Sequence, residues 1–238
     1  MSKDSRITYH LQELEIAHNQ KSPFYAMPSF SENDTAILDI GCGIGQTLVT
    51  SSLENGKLLV GIDIDLDSLI YGQRRFGYIK FINGTAECLP FQSESFDFVI
   101  SRVSLPYTNI PKSLKEIRRV LKKDGNVWFT LHHFSMLLRS FIKSMLTLLT
   151  LQSKSVSERK NVSISKGVVF HTYVILNGIY FHIFGKQFAF PVYGKLYGKY
   201  ESFQTESGII KALENAGFRN PTIQRGKIIF AVTAQNGA

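Results

Sequence analysis

The chain has 238 residues, of which 44% are hydrophobic, 19% charged and 12% aromatic, and 27 Lys and Arg set against 19 Asp and Glu give a net charge of +8. This composition excludes a disordered tail, a collagen-like fibre and a disulfide-stapled miniprotein, and it supplies apolar surface for one large domain or two small ones. The charge is uneven: residues 1–101 carry 7 basic and 13 acidic side chains, whereas residues 102–200 carry 16 and 3.

At the amino terminus Lys3, Asp4 and Arg6 occupy the place of a signal peptide's apolar run, and Cys42 and Cys88 form neither a disulfide framework nor a zinc-ligand pattern. Both features predict a cytoplasmic protein. A helix is expected over 6–18. Strand-like runs at 36–40, 58–62, 79–83, 96–101 and 126–132 then alternate with helical patterns at 46–54, 66–76 and 112–122, the last stopped by Gly125. Alternation of this kind predicts a parallel sheet, and the nearly continuous apolar runs predict strands covered on both faces.

The rhythm breaks at 134. Helical spacing of Leu138, Phe141, Ile142, Met145 and Leu149 predicts an amphipathic helix over 136–151, followed by a polar connection over 152–166. The aromatic stretch 168–184 is shorter than the ~20 apolar residues that a bilayer requires and contains His171, Asn177 and His182, so a buried or interfacial helix is expected. Residues 185–200 repeat Gly, Lys and Tyr without a period. A helix over 206–216 stopped by Gly217 and strands at 221–224 and 228–233 resume the earlier style. Residues 1–238 are therefore expected to form one domain, with 134–200 inserted between elements of one sheet.

The chemistry concentrates where strand 36–40 runs into Asp39-Ile40-Gly41-Cys42-Gly43-Ile44-Gly45. Glycines after a strand let the chain turn tightly and let a ligand approach the backbone. Gln46 stands where a dinucleotide-binding fingerprint would have its third glycine, and no Gly-Lys-Ser/Thr ending is present for a P-loop. The Asp39-x-Gly41-x-Gly43-x-Gly45 pattern resembles the first motif of the class I S-adenosylmethionine-dependent methyltransferases. Asp63 closes strand 58–62 eighteen residues after Gly45, and the segments 84–91, 95–101 and 114–125 are similar to later motifs of that family. The likeness is greatest to the branch that includes ubiquinone and menaquinone biosynthesis methyltransferases.

This resemblance implies an α/β, Rossmann-like, seven-stranded, mostly parallel sheet whose last strand is antiparallel, with helices on both faces and an inserted helical cap. It implies an enzyme of EC 2.1.1.-, with S-adenosyl-L-methionine as cofactor, S-adenosyl-L-homocysteine as product and no metal. Cofactor contacts are expected from Asp39, Gly41, Cys42, Gly43, Gly45, Asp63, Ile64, Thr85, Ala86, Glu87 and Ser101. Of these, Asp63 would bind the ribose hydroxyls and Ile64 would pack on adenine. Most family members have Asp where Thr85 stands; a hydroxyl accepts a hydrogen bond more weakly than a carboxylate, and Glu87 is an alternative partner or an ordinary solvent-facing loop residue.

Methyl transfer from a sulfonium is a direct displacement that depends on positioning, and an oxygen acceptor also benefits from a base. His132 and His133 end strand 126–132 at the carboxyl edge of the sheet; side chains alternate along a strand, so at most one faces the cleft, and a surface imidazole is the plainer alternative. Tyr9, His10, Tyr107, His171 and His182 are candidate acceptor contacts, with packing inside the cap as the alternative for the last two. His171 and His182 lie some ~16 Å apart on a helix, too far to share a metal.

Residues 134–200 hold 12 of the 29 aromatic side chains and 9 basic residues against the single acidic Glu158. This predicts a small or lipid-like acceptor, including anionic ones, and peripheral membrane contact, although the same lysines would also serve to solvate an apolar cap. An RNA-modifying enzyme using 186–199 is the alternative, disfavoured because no RNA-binding module accompanies it. A catalytically inactive S-adenosylmethionine-binding module is a further alternative.

Overall fold

The computed structural model describes residues 3–51, 53, 56–132, 164–189, 204–226 and 228–237. Seven strands form one sheet: β1 (Ala36–Ile40), β2 (Leu58–Asp63), β3 (Lys80–Asn83), β4 (Phe96–Ser101), β5 (Leu121–His132), β6 (Phe218–Arg225) and β7 (Ile229–Asn236). The described helices are α1 (Lys3–His18), α2 (Gln46–Thr50), α3 (Leu66–Arg75), α4 (Ile110–Val120), α5 (Ile164–Phe184) and α6 (Glu206–Ala216).

The strand order is β3-β2-β1-β4-β5-β7-β6. Pairs from β3 through β5 are parallel, and β7 runs antiparallel to both β5 and β6. The order reverses between β1 and β4, which places a crevice at the carboxyl ends of these two strands, where open α/β sheets bind ligands. Every residue of β1 is buried, as its uninterrupted apolar run predicts.

Alternate side chains feed two cores. Leu38, Val99, Val127 and Phe129 pack with Leu114 and Ile117 of α4, Phe181 of α5 and Ile209 of α6. On the other face Ile37, Phe98, Ile100 and Trp128 pack with Leu48 of α2. Local signals set the helix ends. Asn109 Oδ1 accepts from Lys112 N at the start of α4, Thr205 Oγ1 accepts from Gly208 N at the start of α6, and Gly217 ends α6 at φ 88°.

The stop expected at Gly125 falls elsewhere. Helix α4 ends at Val120, and Leu121, fully buried, already pairs with Phe96 as part of β5. Burial of Leu121 wins over continued helix, and Gly125 instead lets the strand pass the Asp97 carbonyl, 2.9 Å from where its Cβ would sit. The aromatic stretch is helical: in α5, Tyr173, Val174, Asn177 and Phe181 are buried, and a Cβ on Gly208 would come within 2.7 Å of Phe181. No described helix is long and apolar enough to cross a membrane. The helix expected over 136–151, the connection after it, and most of 185–200 lie outside the described residues.

Candidate active site

The loop after β1 is bound to the end of β2, since Gly41 N and Cys42 N both donate to Ile62 O, at 2.8 and 3.2 Å. Gly41 has φ 71°, and a Cβ there would lie 2.2 Å from Ser104 Cβ; Gly43 has φ 56°, and its Cβ would lie 2.4 Å from His10 Nδ1. Only glycine meets both demands, a left-handed backbone and a neighbour at contact distance. Cys42 turns its thiol toward Gly61 and is buried, which pushes its pKa well up. The loop therefore offers its backbone, rather than the thiol, to a ligand.

Asp63 closes β2 beside that loop. Its Oδ2 accepts from Gly43 N and its Oδ1 from Asp65 N, both at 2.8 Å. A carboxylate has about four lone-pair sites, so capacity remains for two ligand hydroxyls. Next to it Ile64 is 73% exposed, an apolar face of the kind a purine ring covers. Asp39 is buried beneath the loop, and neither of its oxygens has a hydrogen-bonding partner within normal geometry. Burial pushes its pKa up to about 8, opposed by the nearby Arg102 guanidinium and, less, by the Thr47 hydroxyl.

Two further elements complete the walls. Helix α1 contributes Tyr9, His10 and Glu13, and the turn after β4 contributes Arg102, Val103, Ser104, Tyr107 and Thr108. Arg102 donates through Nη2 to Glu13 O at 3.0 Å and Glu13 Oε2 at 2.9 Å, with its side chain only 3% exposed. Val103 has φ 63°, a strained conformation for a β-branched residue, and its N–H donates to Thr130 Oγ1 at 2.9 Å. Ser104 Oγ donates to Ile40 O at 2.7 Å and lies 2.6 Å from Ser101 Oγ. Burial lowers the pKa of His10, against the pull of Asp63 and Asp65, and it raises that of Tyr9.

These parts enclose a cavity of about 340 Å³. It brings together Tyr9, His10, Gly41, Asp63, Ile64, Ala86 and Tyr107 of the residues expected from sequence. Gly43, Gly45, Cys42, Asp39 and Ser101 shape the loop and its supports from behind. Thr85 is exposed and bridges Cys88 through the backbone, while Glu87 Oε1 accepts from Asn109 N at 2.8 Å, bracing the entry to α4.

His132 ends β5 on the Thr130 side, with Nδ1 buried and unpartnered and its pKa lowered by burial, against the pull of Glu13. His133 lies outside the described residues, and of His171 only the helical backbone is described. His182 stands away from the cavity, its Nδ1 2.9 Å from the Thr205 hydroxyl that caps α6. Sequence reasoning missed Glu13, Gln46, Arg102 and Ser104. The first could have been found from spacing, because Tyr9, His10 and Glu13 share one helix face, and Arg102 is a lone charge at the end of a buried strand. Among the described residues no group of three or more His, Cys, Asp or Glu could hold a metal ion.

Residues 38–129 match a family model described as a methyltransferase domain. The chain is similar to that domain over less than half of its length. Its glycine loop, Asp63 and the β4 turn all lie inside the matched segment, and α1, β6 and β7 lie outside it. Over 103 residues it is 31% identical to the uncharacterized methyltransferase YcgJ of Bacillus subtilis, covering 41% of this chain and 40% of that one. Over 120 residues it is 32% identical to the ubiquinone/menaquinone biosynthesis C-methyltransferase UbiE of Campylobacter jejuni, covering 47% and 50%. The matched segment thus spans half or less of the length of these curated relatives. An S-adenosylmethionine-dependent methyltransferase structure from Thermotoga maritima superposes with TM-score 0.61 at 16% identity, covering 98% and 97% of the two chains. The seven-stranded sheet with its antiparallel β7 is the Rossmann-like fold of that structure.

Proposed function

We propose that this protein is an S-adenosylmethionine-dependent methyltransferase acting on a small or lipophilic acceptor. The observation that carries the reading is one cavity at the β1/β4 reversal in which the glycine loop, the Asp63 carboxylate and the exposed Ile64 face converge. The donor set fits a nucleoside-bearing sulfonium: a carboxylate with spare acceptor sites for ribose, an apolar face for adenine, and a buried carboxyl, Asp39, beneath the loop. Bound there, the cofactor would supply an electrophilic methyl to an electron pair of the acceptor, with the carbon–sulfur pair returning to sulfur.

The chain's own residues then have three tasks. Gly41, in the wall, and Gly43, behind it, let the loop pack directly against Ser104 and His10. Arg102 and Glu13 hold α1 over the cavity and exclude water. A proton released by the acceptor needs a neutral base, and both His10, in the wall, and His132, at the strand end, are kept neutral near pH 7 by burial. The largely apolar wall of Tyr9, Val103 and Tyr107, together with the likeness to a quinone-biosynthesis enzyme, supports a lipophilic acceptor. Isothermal titration calorimetry with S-adenosylhomocysteine tests the reading: binding that Asp63→Ala weakens is expected, and the absence of heat with the wild-type chain overturns it.

A further inference from the structure

Helix α5 has an apolar stripe on its outer side. Ile175, Leu176, Ile179, Ile183 and Phe184 are all exposed, Leu176 to 54% and Phe184 to 50%. They recur at i, i+1, i+4, i+8 and i+9, one broad face along about 14 Å of helix at ~1.5 Å per residue. Phe188, just past the helix, extends the face. Isolated exposed apolar residues are ordinary on a protein surface; a continuous face of this size marks a contact site.

The residues that directly follow Phe184 border a groove of about 530 Å³ between residues 185–187, α4 and α6. Lys112, Lys115 and Lys186 line it and are exposed, and no carboxylate occurs among its described lining residues. Stripe and groove are fixed to each other. Asn177 binds Phe188 through both Nδ2 to its carbonyl and Oδ1 from its N–H, each at 3.1 Å, and Gln187 Oε1 accepts from Ile110 N at 2.8 Å. The surrounding sequence has the same sign, with 9 basic residues and one acidic between 134 and 200.

The combination selects among partners. A nucleic acid would neutralise the lysines and leave the apolar stripe in water. A second copy of the chain would cover the stripe and bring lysine toward lysine, which costs free energy. The boundary between acyl chains and phosphate headgroups matches both halves at once. We propose that this face docks on an anionic bilayer, with α5 lying in the interfacial plane and Lys112, Lys115 and Lys186 at headgroup level. The consequence for activity rests on the methyltransferase reading: Asn109 of the groove directly follows Tyr107 and Thr108 of the cavity wall, so a lipophilic acceptor leaving the bilayer arrives at the methyl-transfer cavity.

The test is co-sedimentation of the full chain with phosphatidylcholine vesicles, with and without phosphatidylglycerol, across a salt series. Binding to phosphatidylglycerol vesicles at least tenfold tighter than to pure phosphatidylcholine, falling with salt, is expected. Lys112→Gln with Lys186→Gln should reduce it about tenfold or more, and Leu176→Gln, Ile179→Gln and Ile183→Gln together should abolish it, with thermal midpoints unchanged. Equal or absent binding to the two vesicle types overturns the proposal, as does wild-type binding by both variants. A dimer that the glutamine stripe turns into a monomer, or RNA retention, either without vesicle binding, overturns it in favour of those partners. S-adenosylhomocysteine affinity, measured on the same samples, separates the two claims. Vesicle binding lost with affinity intact removes the docking alone; docking without affinity removes the methyltransferase reading alone.

Discussion

Asp63 both orders the site and is placed to bind the ligand, because the oxygens available to a ribose are the same ones that fix Gly43 N–H and Asp65 N–H. Hydrogen bonds to a charged group contribute about 1.5–3 kcal/mol each, so Asp63→Ala should weaken S-adenosylhomocysteine binding roughly tenfold to a hundredfold by calorimetry. Asp63→Asn keeps one acceptor oxygen and should lose less. Asp39 presents the opposite case, a carboxyl that folding holds protonated up to about pH 8. The unfolded chain releases that proton above about pH 4, so the native state binds the extra proton between those values and stability falls as pH rises through the window. Below pH 4 the contribution is fully present, and above about 8 it is gone. Asp39→Asn should flatten this dependence in urea melts at pH 5 and pH 8.

At the scale of elements, α1 differs from the rest of the molecule in how it is held. Of its described side chains only Ala17 is buried, and its attachments are polar: Arg6 to Asp65 and Asp67, Gln46 near His10, and Arg102 to Glu13. Removing one partner of a buried ion pair strands the other charge, at a cost of about 3–5 kcal/mol. Glu13→Ala should therefore speed hydrogen exchange across α1 while β1, β4 and β5 stay protected, a pattern that mass spectrometry resolves. The helix itself was legible from spacing; its role as the roof of the cavity was not, because Glu13 meets Arg102 across 89 positions of sequence. Strands β1 and β4 and helix α6 were legible to the residue because each begins and ends on its own turn or cap signal. Helix α4 was misplaced by two residues at each end, since tertiary burial of Leu121 and the Asn109 cap fix its limits. Within the site, the glycine loop and Asp63 carry a pattern that sequence displays, whereas Ser104 and Val103 act through a backbone contact and a strained φ that no spacing records.

Across the whole molecule, the cavity draws its walls from β1, β2, the β4 turn and α1, so a ligand there bridges the sheet and a helix tied down through polar contacts. Binding stabilises only the native state, by about 2.7 kcal/mol at a ligand concentration of 100 times Kd. For a chain of 238 residues this corresponds to a rise in thermal midpoint of roughly 5–11 °C, at ~2–4 °C per kcal/mol. Differential scanning calorimetry with and without S-adenosylhomocysteine measures it directly. Because α1 closes over the ligand, Glu13→Ala should give a smaller rise at the same ligand concentration, by the free energy now needed to dock the helix. The glutamine stripe on α5 should leave the rise untouched, since that surface lies outside the cavity. If Glu13→Ala showed the full wild-type rise with its own affinity unchanged, α1 would be a bystander to binding, and the cavity would have to close by other means.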